Sequence, residues 1–237
     1  MQEGPKVTVV IATKNEEPSV ESAILGARRH SDEVILIDGH STDGTRAIAE
    51  KHHVKWYLDN KRGKGAAIRL GIEKAKGDII VFMDADGSHD PDDIPKLLLP
   101  LREDGFDLVL GSRTRGGSDE LHGDLEKFLR MIGSDIITLV INYRWNVRLT
   151  DSQNGFRAIR ASVVRKLGLR EDIFTIEQEM IMRCLRNGFR VCDVPTHEYA
   201  RRHGSSRIVL WKVAPRYVWC LLRGILTPDR RRPHGTS

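Results

Sequence analysis

Four short runs rich in Val, Ile and Leu, each followed by a stretch with helix-like spacing, constrain this chain more than any other feature. Residues 7–12, 33–38, 78–84 and 107–111 are nearly continuous in apolar side chains. Such runs mark strands covered on both faces, because a strand with one wet face alternates instead. Residues 18–29, 45–53, 64–76 and 92–103 carry apolar residues at helical spacing. The repeated order of strand then helix predicts an α/β fold: a mostly parallel central sheet flanked by helices. A chain of 237 residues fits one large core better than two. Past residue 200 the sequence turns Arg-rich and Trp-containing, which predicts a main domain over 1–207 and an amphipathic, basic appendage over 208–237.

In parallel α/β sheets ligands gather at the carboxyl ends of the strands. The polar groups collect there too, at Thr13 to Glu16, Asp38 to Asp43 and Asp84 to Asp90. The third group is the densest, with five aspartates in DADGSHDPDD. Asp84 and Asp86 leave the strand on extended backbone and can point into one crevice, where like charges repel unless a cation joins them. Mg²⁺ or Mn²⁺ suits such a pair, since these ions take one or two carboxylates together with water and phosphate oxygens. Asp90, Asp92 and Asp93 have a plainer account: with Pro91 they open a helix, Asp90 capping free N–H groups and the others meeting the positive dipole end. Gly63-Lys64-Gly65 does not match the phosphate loop of ordinary NTPases, yet a basic turn beside a diphosphate fits.

Net charge is +5, from 38 Lys and Arg against 33 Asp and Glu, with arginine weighted toward the C-terminal third. This points to an anionic partner on one face without choosing among nucleic acid, lipid and phosphorylated substrate. Three cysteines without paired spacing argue against a disulfide framework or structural zinc and favour a reducing cytosol. The N-terminus lacks the basic region and length of a signal peptide, and the apolar stretches near 132–141 and 208–226 are too short or too interrupted to span a bilayer.

The blocks VTVVIATKNEE, VILIDGHSTDGT, GKGAAIRLGIEKAKGDIIVFMDADGSHDPDDI and LVLGSR resemble, in order and spacing, a family 2 glycosyltransferase of the GT-A nucleotide-diphospho-sugar transferase fold. DSQNGFRAIR, EQEMIMRCLRNGFRVCDVP and RRHGSSRI narrow the resemblance to the dolichyl- and polyprenyl-phosphate mannose synthase type, over residues 6 to about 210. The resemblance implies that Ala12, Thr13, Asn15, Glu16 and Asp38 surround the nucleoside of a GDP- or UDP-sugar. It sets Lys64, Asp84, Ala85 and Asp86 at ribose, metal and diphosphate. Arg113, Arg130, Arg201, Ser206 and Arg207 would receive the lipid phosphate. Asp86, Arg113 and Asp151 are the residues expected to carry the reaction, with inversion at the sugar. Arg207 stands where the family has Lys, exchanging a point charge for a planar fork, and Gly39 follows Asp38 where many relatives have a second acid.

A lipid phosphate, unlike a hydroxyl, needs no general base: with a second pKa of about 6 it is already mostly dianionic at neutral pH. The site must instead supply cations that hold two sets of phosphates together, and guanidinium pairs do this bidentately. Glu179 is read as a wall residue, and Asp151 as orienting the acceptor or a loop. The histidines, His89 included, have no metal-ligand spacing and are read as surface groups or supports behind the site. Trp211, Tyr217 and Trp219, interleaved with Lys212, Arg216 and Arg223, suggest attachment to the cytoplasmic surface of a membrane, helped by Arg230 to Arg232. Alternatives within the fold are glucose or N-acetylhexosamine in place of mannose, or a sugar acceptor. The alternative from another class is a nucleic-acid-binding module. It is disfavoured, and no nucleic-acid partner is expected, because the DADGSH acids would repel phosphate.

Overall fold

The computed structural model of the chain describes residues 4–119, 125–201 and 210–229. In chain order the elements are β1 (Val7–Thr13), α1 (Glu17–Arg28), β2 (Glu33–Asp38), α2 (Thr45–Lys51), β3 (Lys55–Leu58), α3 (Lys64–Lys74) and β4 (Ile79–Asp84). A 3₁₀ turn (Pro91–Asp93), α4 (Ile94–Arg102), β5 (Leu108–Ser112), α5 (Arg113–Gly116) and α6 (Leu125–Trp145) follow. The rest is β6 (Arg157–Arg160), α7 (Ala161–Leu167), α8 (Ile176–Arg186), β7 (Val191–Pro195) and α9 (Leu210–Leu226).

Among the described residues the strands form one seven-stranded sheet in the order β3-β2-β1-β4-β6-β5-β7. All neighbours run parallel except at β6, which is antiparallel to both β4 and β5. Successive side chains of β1 enter opposite cores. Val9 and Ile11 pack with α1 and α4 residues such as Ile24 and Leu97, while Val10 joins Ile68, Ile72, Met180 and Ile181 of α3 and α8 on the other face. Both faces are therefore covered, as the unbroken apolar runs require. The short reversed strand β6 and the edge strands β3 and β7 escape such a reading, since four or five residues, each run containing a charge, carry little periodic signal.

Register sets the site. Thr13 pairs with Asp38 across β1 and β2, and Ala12 pairs with Asp84 across β1 and β4, so three strand ends finish level at one edge. The helix expected from residue 92 begins instead as a 3₁₀ turn and becomes α-helical at Ile94. Asp90 caps it as expected, its carboxylate accepting the Asp92 N–H at 2.9 Å.

Most of the 208–226 stretch forms one helix, α9, which continues through Pro215. Cys220 of α9 is fully buried, and Gly224 is where the helix lies against Met182 of α8, because a Cβ there would fall 2.3 Å from the Met182 sulfur. Asp229 accepts from Trp145 Nε1 and pairs with Arg144, tying the end of this segment to α6. No helix among the described residues is long and apolar enough to cross a membrane.

Close approach of α3 to β1 rests on Gly71, where a Cβ would sit 2.4 Å from Val10 Cγ1. Gly71→Ala should therefore destabilise the protein by about 1–3 kcal/mol through overpacking. Urea denaturation measures this, and a loss within about 0.5 kcal/mol, ordinary for a surface change, would show that α3 can shift freely on the sheet.

Candidate active site

The loops after β1 and β2 interlock. Asn15, held at φ 56°, donates its backbone N–H to Ser41 Oγ and accepts the Thr42 N–H on Oδ1, both at 2.8 Å. Asparagine tolerates this left-handed conformation better than most residues. The Glu16 N–H reaches Thr45 Oγ1 at 3.0 Å, and the Glu16 carbonyl starts α1 by accepting from Ser19 and Val20. Asp38 is buried, with its carboxylate turned to the backbone N–H and hydroxyl of Ser41, so it shapes the β2–α2 turn. Thr13 ends β1 with its hydroxyl buried and without a hydrogen-bond partner among the described residues.

At the end of β4 a lysine lies between two acids. Lys64 Nζ stands 2.8 Å from Asp84 Oδ2 and 3.3 Å from Glu177 Oε1. Burial alone would lower the ammonium pKa, but the charges of Asp84 and Glu177 outweigh it and hold the group firmly protonated. Burial likewise opposes ionisation of Asp84, and Lys64 more than offsets it, keeping the carboxyl below its usual range. Gly155 forms the floor, since a Cβ there would fall 2.8 Å from Lys64 Nζ and 3.4 Å from Asp84 Oδ2. His89 is buried behind the strand end, stacked on Phe156 at 4.9 Å, with Nδ1 accepting the Asp84 N–H at 3.2 Å. It supports the backbone at Asp84.

Asp86 is held differently. Its Oδ1 accepts from the Ser88 hydroxyl at 2.6 Å and the Ser88 N–H at 3.1 Å, while Arg201 Nε approaches Oδ2 at 3.2 Å. Arg201 reaches it because residues 196–201 lie across the site. The Tyr199 N–H donates to Ser88 O, the Glu198 N–H to Gly117 O and the Asp119 N–H to Glu198 O. Ala85, between the two acids, is buried.

A third cluster forms the far wall. Arg113 Nε and Nη2 straddle Asp151 at 2.6 and 3.1 Å, and Nη1 lies 3.4 Å from Glu198. Burial would lower the Arg113 pKa and raise that of Asp151; their mutual charge reverses both. Asp151 also accepts the N–H groups of Gln153 and Asn154, so it orders the loop leading to β6. That loop is bolted to α6 by Thr138 Oγ1 and Ser152 Oγ at 2.8 Å, and to α8 by the wholly buried Arg157, whose Nη1 donates to Glu177 O at 2.8 Å. Arg130 of α6 and Tyr217 of α9 border the same wall: burial chiefly raises the tyrosine's pKa, and Glu177, Arg130 and Arg113 are the charges nearest it in effect.

Thus Lys64, Asp84, Asp86, Arg113, Asp151 and Arg201 are brought to one crevice, whereas Asp38 faces its own turn. Ser206 and Arg207 lie outside the described residues, as do Arg230 to Arg232. Glu179 is buried, accepting the N–H groups of Arg170 and Glu171 at 2.8 Å and pairing with Arg183. Sequence reasoning missed Glu177, Glu198 and Gly155. The available signal was EQE at the start of α8, where Glu177, Gln178 and Glu179 are all buried although consecutive helix residues point 100° apart.

Residues 8–168 match the family described as Glycosyl transferase family 2. The chain belongs to glycosyltransferase family 2. Glycosyltransferase AglJ of Haloferax volcanii is 32% identical over 202 residues, spanning 84% of this chain. The match covers 65% of that relative, so this chain corresponds to somewhat under two thirds of its length. The UDP-N-acetylglucosamine–dolichyl-phosphate N-acetylglucosaminyltransferase of Methanococcus voltae is 27% identical over 241 residues, spanning 87% of this chain and 92% of the relative. Among solved structures, glucosyl-3-phosphoglycerate synthase of Mycobacterium tuberculosis with Mg²⁺ and UDP superposes with a TM-score of 0.76. That match has 21% identity over 96% of this chain and 82% of the other. At that identity the likeness concerns the fold, which is GT-A. The family 2 membership makes this protein a transferase that uses a nucleotide sugar.

The buried pair in this glycosyltransferase yields a pH prediction. Because folding depresses the Asp151 pKa below its usual 3.8, the pair's contribution is complete above that value and lost as pH falls through the lower folded pKa. Asp151→Asn should be less stable by about 3–5 kcal/mol at neutral pH, the cost of breaking a buried pair. The deficit should shrink below pH 3.8. Urea titrations at several pH values check this, and a deficit independent of pH would assign the loss to packing.

Proposed function

We propose that this glycosyltransferase moves a hexosyl or N-acetylhexosaminyl unit from a nucleoside-diphosphate sugar to a dolichyl or polyprenyl phosphate at a membrane surface. The observation that carries this reading is the pair of uncovered apolar helix faces beside a crevice of cations. On α6, Phe128, Ile132, Ile136, Leu139 and Tyr143 are exposed by 37–91%; on α9, Val218, Trp219, Leu222 and Leu226 are exposed by 47–78%. A lipid surface covers such faces at a gain of about 1.5–3 kcal/mol per large side chain buried. A polyprenyl tail cannot leave the bilayer without exposing its methylenes, so the crevice must come to headgroup level. The named activity of the Methanococcus voltae relative, transfer to dolichyl phosphate, agrees with this reading. The sugar follows less directly: the motif resemblance favours mannose, and that relative's name favours N-acetylglucosamine from UDP.

In this reading the donor diphosphate lies at Lys64 and the Asp84–Asp86 turn, with the nucleoside between the β1 and β2 loops. The described residues contain no group of three or more acids, histidines or cysteines able to enclose an ion. Two carboxylates on one strand end nevertheless fit Mg²⁺ or Mn²⁺, which keep further positions for water and substrate phosphate. Asp84 and Asp86 would hold the ion, and it would neutralise charge developing on the leaving diphosphate. Lys64 binds and orients the same phosphates. The acceptor phosphate enters by Arg201 and Arg130 as a dianion and needs no base to remove a proton. Arg113, gripped by Asp151 and Glu198, shapes that wall and adds positive potential to it.

Three measurements test this. Asp86→Asn should lower turnover by about 10²–10³-fold, the usual loss when charge stabilisation is removed from a developing anion, with the fold intact by circular dichroism. Activity of this variant equal to wild type in chelator would sink the ion assignment. Trp219→Ala with Leu139→Ala should weaken sedimentation with anionic liposomes at least tenfold and lower turnover of long-chain acceptor, leaving a short-chain phosphate acceptor unaffected. Undiminished liposome binding would make these faces something other than a lipid seat. A panel of GDP- and UDP-sugars with extracted lipid product identifies the sugar, and transfer to a soluble sugar alone would overturn the lipid acceptor.

A further inference from the structure

The helix that carries the apolar seat also builds the donor site. We infer that Arg216 and Arg223 of α9, acting through the buried carboxylate of Glu171, position the first turn of α3 and hence Lys64. This rests on the reading that Lys64 meets the donor diphosphate.

Glu171 is 2% exposed, yet it is an acid in a short loop between α7 and α8. Its Oε1 lies 2.7 Å from Arg223 Nη2, and its Oε2 accepts from Thr175 Oγ1 at 2.6 Å and Arg216 Nε at 3.1 Å. Arg223 also reaches Glu179 at 3.5 Å, and Glu179 holds the Glu171 N–H. Side chain and backbone amide are thus both fixed, which leaves the carbonyl side of the loop with one orientation. That side wraps the start of α3. The Ala66 N–H donates to Asp172 O at 3.2 Å, and Arg69 of α3 donates to Glu171 O and pairs with Asp172.

Two glycines permit the wrap. A Cβ at Gly65 would sit 2.4 Å from Glu171 O, and one at Gly63, whose φ is 121°, would sit 2.8 Å from Asp172 O. Between these glycines is Lys64, 2.8 Å from Asp84. A continuous run of polar contacts therefore leads from α9 through Glu171 and the 171–172 backbone to the lysine at the end of β4. The exposed apolar residues Val218, Trp219 and Leu222 lie on the same helix as these arginines, so the surface proposed for lipid and the residue proposed for donor share one support. Glu171 is a positioning residue here, since it acts through α3.

The experiment uses the full chain with Glu171→Gln, Arg223→Ala and Arg223→Lys, reading amide hydrogen exchange and calorimetric binding of UDP and of GDP, each with Mn²⁺. Exchange at Ala66 and Ala67 should accelerate in Glu171→Gln and Arg223→Ala, while central strand β1 keeps wild-type protection. Nucleotide Kd should rise by about 3- to 30-fold, the span of modest long-range coupling, with Arg223→Lys between wild type and Arg223→Ala. Liposome binding should hold for Glu171→Gln, whose side chain faces inward. Wild-type exchange at Ala66 and Ala67 would overturn the inference, and so would faster exchange with unchanged Kd. Equal acceleration throughout the sheet would also overturn it, by showing a general loss of stability. A wild-type chain that binds neither nucleotide would overturn the donor reading instead, and the exchange result alone would then decide whether the tie exists.

Discussion

One half-buried ammonium organises the end of β4. Lys64 sits between Asp84 and Glu177, and each of the three comes from a different helix or strand. Taking such charges out of water is expensive, and the cost is offset only when geometry is good and each charge has a partner. The structure meets that condition by supporting every member from behind: α3 by the wrap of residues 171–172, β4 by His89 on Phe156, and α8 by Arg157. In the proposed reading the same group that fixes the strand end also meets the donor phosphate, so the order of the site and recognition of the donor have a common origin.

The second cluster obeys the same logic with a different emphasis. Arg113 is pinned by two acids, and the loop containing Asp151 is pinned to α6. A guanidinium so constrained loses little freedom when an anion arrives, which is how preorganised cations act in a low-dielectric wall. Arg201 differs, being carried by the 196–201 strap that crosses from β7 to the DADGSH turn. Its partner Asp86 is one of the two carboxylates proposed to hold an ion. Arg201 compensates the charge of Asp86 at 3.2 Å.

Apolar surface completes the arrangement. The helices α6 and α9 each bury one face against the domain and leave the other uncovered, yet neither is long and apolar enough to span a bilayer. In the proposed reading these faces lie on a lipid surface, with a lipid phosphate near the cationic wall and its tail along the helices. Cys220, Arg216 and Arg223 lock α9 onto the core beside α8.

Local chemistry alone determined the sheet's covered strands, the acidic strand end at Asp84 and Asp86, the cap at Asp90 and the GT-A resemblance. Each is written in a few adjacent residues: unbroken apolar runs need burial on both faces, and an aspartate before proline finds free N–H groups at once. Tertiary structure decided which charges meet. Nothing near Lys64 in sequence names Glu177 as its second partner, and Arg113 meets Asp151 and Glu198 only because the reversed strand β6 and the strap after β7 cross the same edge. Asp38, at the end of an equally apolar strand, turns to Ser41 because that hydroxyl and amide lie three residues away. A local partner satisfies a carboxylate at little cost in chain entropy, whereas a distant one requires the whole sheet to form first, and that is why the first kind can be read from sequence and the second cannot.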